Sequence, residues 1–222
     1  MAQQQRAVRS REAILRAAAQ VIDRHGLMAA TLSRVSAEAG LSKGAIYFHF
    51  ANKDALASAL EREAAHALDG LAAARAGAAG RPALTAIVET TQDLARLLTR
   101  NVVVRAGFQV DCDRAEGGVP LLRCRFTGLL TRLLEDARRV GCLARGVPVD
   151  DIAATVLALT IGVQTLSRHP GTAQAVPRVL DRFWQVTLPG LLPGPPEAAG
   201  AAGDGAPSAT ADRRPDRGGR PG

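Results

Sequence analysis

Along the chain, apolar residues recur at three- and four-residue spacing in one segment after another, the period of helices that bury a single face. From Arg9 to His25, the residues Ile14, Ala18, Val21 and Ile22 form one stripe, and Gly26 follows where a left-handed residue would end the helix. Residues 1 to 8 precede it as a flexible arm. Leu32 and Val35 mark the buried side of a short helix, and Ala45, Ile46 and Phe48 give apolar surface to the next, with Gly40 supplying the bend between them. Thr31 and Ser42 stand just ahead of these two runs, where a hydroxyl can accept from backbone N–H groups that lack partners. Asn52 is placed in the same way before a long helix to about Ala74, which carries Asp54 in its first turn and a stripe of Leu56, Leu60, Ala64 and Leu68.

The remainder continues in helices. Gly70 to Pro82 reads as a frayed end and a loop, after which Leu84, Ile87, Val88, Thr91, Leu94 and Leu98 make a further stripe. Asn101 interrupts it. The stretch VVVRAGFQVDC from Val102 is rich in β-branched residues, yet a lone strand among helices has nothing to pair with, so it reads as a short helix. Asp113 to Val119 is a loop, and Pro120 to Val140 is an amphipathic helix through Leu122, Phe126, Leu129, Leu130, Leu133, Leu134 and Ala137, stopped by Gly141. A helix starting at Asp150 or Asp151 is apolar nearly all round from Ile152 to Leu166, which calls for burial on several sides. After the break His169-Pro170-Gly171, a last helix runs from about Ala173 to Leu188, ended by Pro189 and Gly190. The expected fold is all-α, with divisions at 1–55, 56–190 and a disordered, Pro- and Gly-rich tail at 191–222.

Composition supports this picture. Of 222 residues, 47% are apolar but only 3% aromatic, which favours helices over sheets. The formal charge of +7 suits a polyanionic partner, and residues 1–55 hold eight Lys or Arg against four Asp or Glu. Cys112, Cys124 and Cys142 form no CxxC pair and read as reduced, buried thiols, without a metal or disulfide role. The longest apolar run, Ile152 to Val163, is twelve residues, short of the ~20 that cross a bilayer, and no signal peptide begins the chain. A cytoplasmic protein with no membrane partner is expected. Motifs for nucleophilic hydrolysis, zinc proteolysis and nucleotide binding are missing, and His25, His49, His66 and His169 are scattered, so neither an enzyme nor a cofactor is expected.

Two short helices joined by a glycine-containing turn make a helix-turn-helix, whose second helix enters the DNA major groove. The residue types needed for such docking are present on the second helix, with Lys43 for phosphate, Gly44 and Ala45 for close approach, and Tyr47 and His49 for base edges or backbone oxygens; Ser42 at its N-cap is a further candidate contact. Thr31 and Ser33 on the first helix, Lys53 after the second, and Arg6 and Arg9 on the arm complete the candidate DNA contacts. At these residues the wording KGAIYFHFANKDALA, from Lys43 to Ala57, resembles the tetracycline-repressor (TetR) family, and within it the γ-butyrolactone receptors and pseudo-receptors of actinobacteria. The close match spans roughly residues 8 to 60; beyond it the likeness lies in helix order and phrases such as VVVRAGFQV.

The resemblance implies a homodimeric repressor on a pseudo-palindromic operator, released by a small apolar metabolite and controlling secondary metabolism. The dimer would be made by the two C-terminal helices, with Val176, Leu180, Phe183 and Trp184 as candidate contacts. Phe108, Phe126, Leu130, Leu133 and Leu157 are candidates for the wall of an effector pocket, with Gln109, Thr127 and Thr160 as its polar contacts. The γ-butyrolactone receptors characteristically carry tryptophan where this chain has Phe126, so an antibiotic or its precursor stands beside a butyrolactone as effector. An effector-independent regulator or architectural DNA binder is the alternative.

Overall fold

A computed structural model describes residues 2–76, 82–114, 120–167 and 176–193. Among them are nine helices: α1 (Ala2–Ala29), α2 (Leu32–Ala39), α3 (Lys43–His49), α4 (Lys53–Ala76), α5 (Ala83–Arg100), α6 (Val102–Asp113), α7 (Leu121–Arg139), α8 (Val149–Ser167) and α9 (Val176–Leu191). Residues 77–81 of the loop expected ahead of α5, residues 115–119 of the loop expected ahead of α7, the break at His169-Pro170-Gly171 and the tail beyond Pro193 lie outside the described residues.

The apolar stripes close on two cores. Ile14, Ala18, Val21 and Ile22 of α1 meet Val35, Ile46 and Phe50 in the first; the second gathers Ile87, Leu94 and Leu98 of α5 with Leu122, Phe126, Leu130 and Leu134 of α7 and Val156 of α8. Two helices belong to both. On α4, Leu56, Ala57 and Leu60 enter the first core, while Ala64, Ala65 and Leu68, one turn on, enter the second. On α6, Ala106 and Val110 face the first, and Val104 and Phe108 face the second. Each α6 pair is spaced by four residues, and the two pairs are offset by two, which puts them on opposite sides of the helix. The first core therefore extends past residue 55, into α4 and α6.

Gly107 sets how closely α4 and α6 approach. A Cβ built there would stand 2.6 Å from the Ala64 Cβ and 2.7 Å from the Leu60 carbonyl oxygen, so only glycine fits. Both ends of α6 are pinned. Near its start, Arg105 Nε and Nη2 each reach the Asp23 carboxylate of α1 at 2.9 Å, and Nη1 donates to the Leu98 carbonyl at 2.7 Å. At its end, Arg114 holds Glu61 at 2.9 Å, Ser58 at 3.1 Å and Asp54 at 3.1 Å on α4. The 2%-exposed Asp111 accepts from the Leu122 and Arg123 backbone N–H groups at 2.9 and 3.4 Å and from Arg123 Nε at 3.1 Å. Since Pro120 supplies no side-chain cap to α7, Asp111 caps that helix from α6.

Several expectations need correction. The flexible arm is helical: α1 begins at Ala2, because QQQRAVRSR contains no helix breaker. Gly26 does take a positive φ of 79°, but with an extended ψ of 164° rather than a left-handed helical one, and helix resumes to Ala29. Gly70 lies inside α4, which continues to Ala76 because Leu71 packs on the second core. Pro189 does not end α9. The missing N–H leaves the rest of the last turn intact, and the buried Leu191 accepts from the Ala144 N–H at 2.8 Å. Cys124 is exposed rather than buried, and Cys112 and Cys142 are half-buried.

Of the candidate dimer contacts, three pack inside this chain's own second core: Val176, Leu180 and Trp184 are 0%, 2% and 2% exposed. The indole N–H of Trp184 donates to the Thr91 hydroxyl at 2.8 Å, and that hydroxyl donates to the Val88 carbonyl at 2.7 Å, tying α9 to α5. Phe183, edge-on to Trp184 with ring centroids 5.0 Å apart, is half-buried. The large apolar residues that α9 turns outward are Val179 and Val186, 41% and 71% exposed. Nor is α8 enclosed on several sides. It buries Ala153, Val156, Thr160 and Val163 but leaves Ala154, Ala158, Gly162 and Leu166 open along another face.

Gly107→Ala tests the α4–α6 contact. Alanine's helix propensity alone would stabilise by about 1 kcal/mol, whereas the clash is expected to reverse the sign and lower stability by about 2 kcal/mol, read as a lower urea midpoint.

Candidate nucleic-acid interface

The segment from Thr31 to Asn52 is built by caps. Thr31 Oγ1 accepts from the Arg34 N–H at 3.2 Å to open α2, and Ser42 Oγ accepts from the Ala45 N–H at 3.2 Å to open α3. Asn52 Oδ1 accepts from the Ala55 N–H at 2.8 Å to open α4. Between α2 and α3, Gly40 takes the left-handed conformation at φ 63° and ψ 28°, and its N–H reaches the Ala37 carbonyl. The Ser36 hydroxyl donates to the Leu41 carbonyl at 2.5 Å and fastens the turn from inside.

Helix α3 has seven residues, too few to persist unaided. Ile46, fully buried, and Phe50, 4% exposed, anchor it to the first core. At 100° per residue, Gly44 and Phe48 lie opposite Ile46, with Lys43 and Tyr47 on one flank, and all four are exposed, Tyr47 at 57% and Phe48 at 80%. Lys43 has no ion-pair partner among the described residues. A Cβ added at Gly44 would meet only Ser42 Oγ at 3.9 Å, so no internal contact calls for glycine there. The surface is cationic at one end, aromatic along its length and unobstructed at Gly44.

The other candidates fall in several places. Ser33 is exposed on α2, while the hydroxyls of Thr31 and Ser42 are used as caps. Ala45 and His49 are half-buried, and the His49 ring packs against Phe48 and Phe50, with centroids 5.1 and 6.4 Å away. Lys53 Nζ donates to the Met28 carbonyl at 3.2 Å, bridging the ends of α1 and α4. Arg6 and Arg9 are exposed on the first turns of α1. The neighbouring Val8 and Arg11 face Glu63 and Ala67 across a cleft of about 410 Å³, a wall about 15–20 Å along α4 from Lys53. Apolar patterning puts Phe48 on the wrong side of α3, although the helical turn angle already separates it from Ile46.

The apolar effector candidates lie in packed interior, while the Gln109 amide is directed toward Gly26 of α1. Phe108, Phe126 and Leu130 are at most 1% exposed in the second core, with Leu133 and Leu157 packed against it. Gln109 is 6% exposed, Thr127 is half-buried, and the Thr160 hydroxyl donates to the Val156 carbonyl of its own helix at 2.8 Å. Phe126 also lines a cleft of about 340 Å³ with Leu68, Asp69, Arg125, Leu129 and Arg132. Burial pushes the Glu61 carboxyl above its ordinary pKa, against the pull of Arg114, and burial likewise raises the Cys112 thiol.

Residues 14–60 match the model of bacterial regulatory proteins of the TetR family. A structure of the TetR-family protein CprB from Streptomyces coelicolor, in complex with its biological operator sequence, is 32% identical with a TM-score of 0.72, covering 85% of this chain and 90% of that one. The chain belongs to the TetR family. A crystal structure of a gamma-butyrolactone receptor, an ArpA-like protein, matches this TetR-family chain at 30% identity and a TM-score of 0.73, over 84% of this chain and 90% of that one. The A-factor receptor protein of Streptomyces griseus is 28% identical over 191 residues, 86% of this chain and 67% of that protein. Among the described residues no helix is long and apolar enough to cross a membrane, and no group of His, Cys, Asp and Glu could hold a metal ion.

Ser42→Ala is expected to cost about 1 kcal/mol and to speed hydrogen exchange at the Ala45 amide selectively, while the α7 amides lose protection only with global unfolding.

Proposed function

We propose that this TetR-family regulator is a repressor that binds a pseudo-palindromic operator as a homodimer and releases it when a small apolar metabolite binds the helical body. The observation that carries the reading is the open side of α3. Lys43 there has no ion-pair partner among the described residues, Tyr47 is 57% exposed, and Gly44 serves no internal packing, all on a helix anchored from behind by Ile46 and Phe50. A groove-entering helix needs those properties: charge for phosphate, side chains that reach base edges, and a low point for close approach. That CprB, 32% identical to this chain, forms a complex with its operator supports operator binding here. In this reading residues 1–55 form the DNA-binding part and 56–190 the effector-binding and dimerising part.

A second copy is needed to place two α3 helices on successive major-groove faces. The surface that suits it is the open face of α8, with Ala154, Ala158, Gly162 and Leu166, together with Val179 and Val186 on α9. Small residues at four-residue spacing let two helices approach closely across a two-fold axis. For the effector, the second core offers apolar walls around Phe108, Phe126 and Leu130, and the relatives named as gamma-butyrolactone and A-factor receptors favour a butyrolactone-type signal or another apolar metabolite. Because α6 faces both cores, a ligand that shifts Phe108 also bears on Ala106 and Val110. A coupling of about 3 kcal/mol would weaken DNA binding by roughly 150-fold.

Gel-shift titration at fixed salt, with duplexes selected from a random pool, tests the reading. Gly44→Ala should keep or raise the melting temperature, since alanine favours the helix by up to about 1 kcal/mol, yet weaken operator binding at least tenfold. An unchanged affinity would remove α3 from the interface. Lys43→Ala should weaken specific and non-specific complexes alike and flatten the salt slope by about one. Ala158→Glu should leave a folded monomer by light scattering with operator affinity largely lost; a persistent dimer would place the interface elsewhere.

A further inference from the structure

Phe48 is 80% exposed on a helix whose apolar anchoring is already complete in Ile46 and Phe50. Among the described residues its one aromatic contact is the half-buried His49, edge-on at 5.1 Å, and the greater part of the ring faces outward. It stands beside Gly44 on the outermost side of α3, with Tyr47 and Lys43 exposed on the flank. Accepting the DNA-binding reading above, this side enters the major groove, where Lys43 and Tyr47 carry donors for phosphate and base edges. Phe48 has neither donor nor acceptor, so hydrogen bonding gives it nothing to read. Phosphate oxygens and solvated base edges give a hydrocarbon ring no favourable contact either. The apolar group that the major groove displays is the 5-methyl of thymine, and a phenyl ring is among the side chains that pack against it. The absence of a side chain at Gly44 lets the helix approach far enough for the ring to reach it.

We propose that Phe48 is a specificity-determining residue that packs on the 5-methyl group of one thymine in each half-site of the operator. It makes the complex sensitive to a single methyl group in a way that Lys43 and Tyr47 do not.

The test uses the full chain and the duplex that the wild-type protein selects from a random pool. Each thymine is replaced in turn by deoxyuridine, which keeps the base pairing and removes only the methyl, and dissociation constants are read by fluorescence anisotropy at fixed salt. At one thymine per half-site the wild type should lose about fourfold, the effect of uncovering one methyl group, and about fifteenfold when both half-sites are changed. Phe48→Ala should show no penalty at that position and an unaltered profile elsewhere. Phe48→Leu, which keeps an apolar contact, should show an intermediate penalty and supplies the profile if the alanine variant binds too weakly. Both variants should melt with the wild type, since the ring is exposed. Indifference of the wild type to every thymine-to-uracil change, or an identical profile in both variants, would overturn the assignment. Failure of the wild type to select any duplex would instead remove the DNA-binding reading, and this assignment with it.

Discussion

The close passage of α6 over α4 is the constraint from which the arrangement of the chain follows. Gly107 lets the α6 backbone come within contact of the Leu60 carbonyl and the Ala64 methyl. At that separation, residues on opposite sides of α6 can fill two different cores. Phe108 and Val104 complete one, and Ala106 and Val110 the other. Because close-packed cores resist continuous deformation, α6 cannot shift toward one without opening a gap in the other. The orientation of the short helices is thereby tied to the packing of the body.

The polar groups around α6 reinforce that tie through their placement. Arg105, Asp23, Arg114, Glu61 and Asp111 are all partly or wholly removed from water, and each carries a charge that needs a partner to remain there. Such pairs specify geometry more than they add stability. Arg105 meets the Asp23 carboxylate with two nitrogens at 2.9 Å, a planar fork that fixes the angle between α1 and α6. Asp111 does the same for α7, whose first N–H groups it satisfies. The effector candidates on α6 and α7 share helices with these anchors.

Much of this was legible in the sequence. Apolar spacing located every buried stripe of α1, α4, α5 and α7, and Thr31, Gly40, Ser42, Asn52 and Asn101 marked helix ends because their chemistry is local. What stayed hidden is what each stripe meets. Trp184 and Leu180 carry as strong a pattern as any interface, but the surface opposite them is α5 of the same chain. Helix α8 reads as apolar all round, yet periodicity does not say which side a second molecule would cover. The joints of α6 escaped for the same reason, since Asp23 and Arg105 are separated by 82 positions and nothing along the chain pairs them. Phe48 is different: its outward side follows from the helical turn angle, but hydrophobicity alone draws an aromatic residue inward.

The scarcity of aromatic residues has an experimental corollary. The chain has one tyrosine and one tryptophan, and they fall at opposite stations of the molecule: Tyr47 on the open side of α3, Trp184 buried between α5 and α9. Each is therefore a native optical probe of a single region. The emission of the indole, bonded to Thr91, senses rearrangement of the body, while the phenol absorbance senses events at the exposed helix. The unmodified protein thus carries two separable spectroscopic channels, one for each end of the coupling that α6 makes.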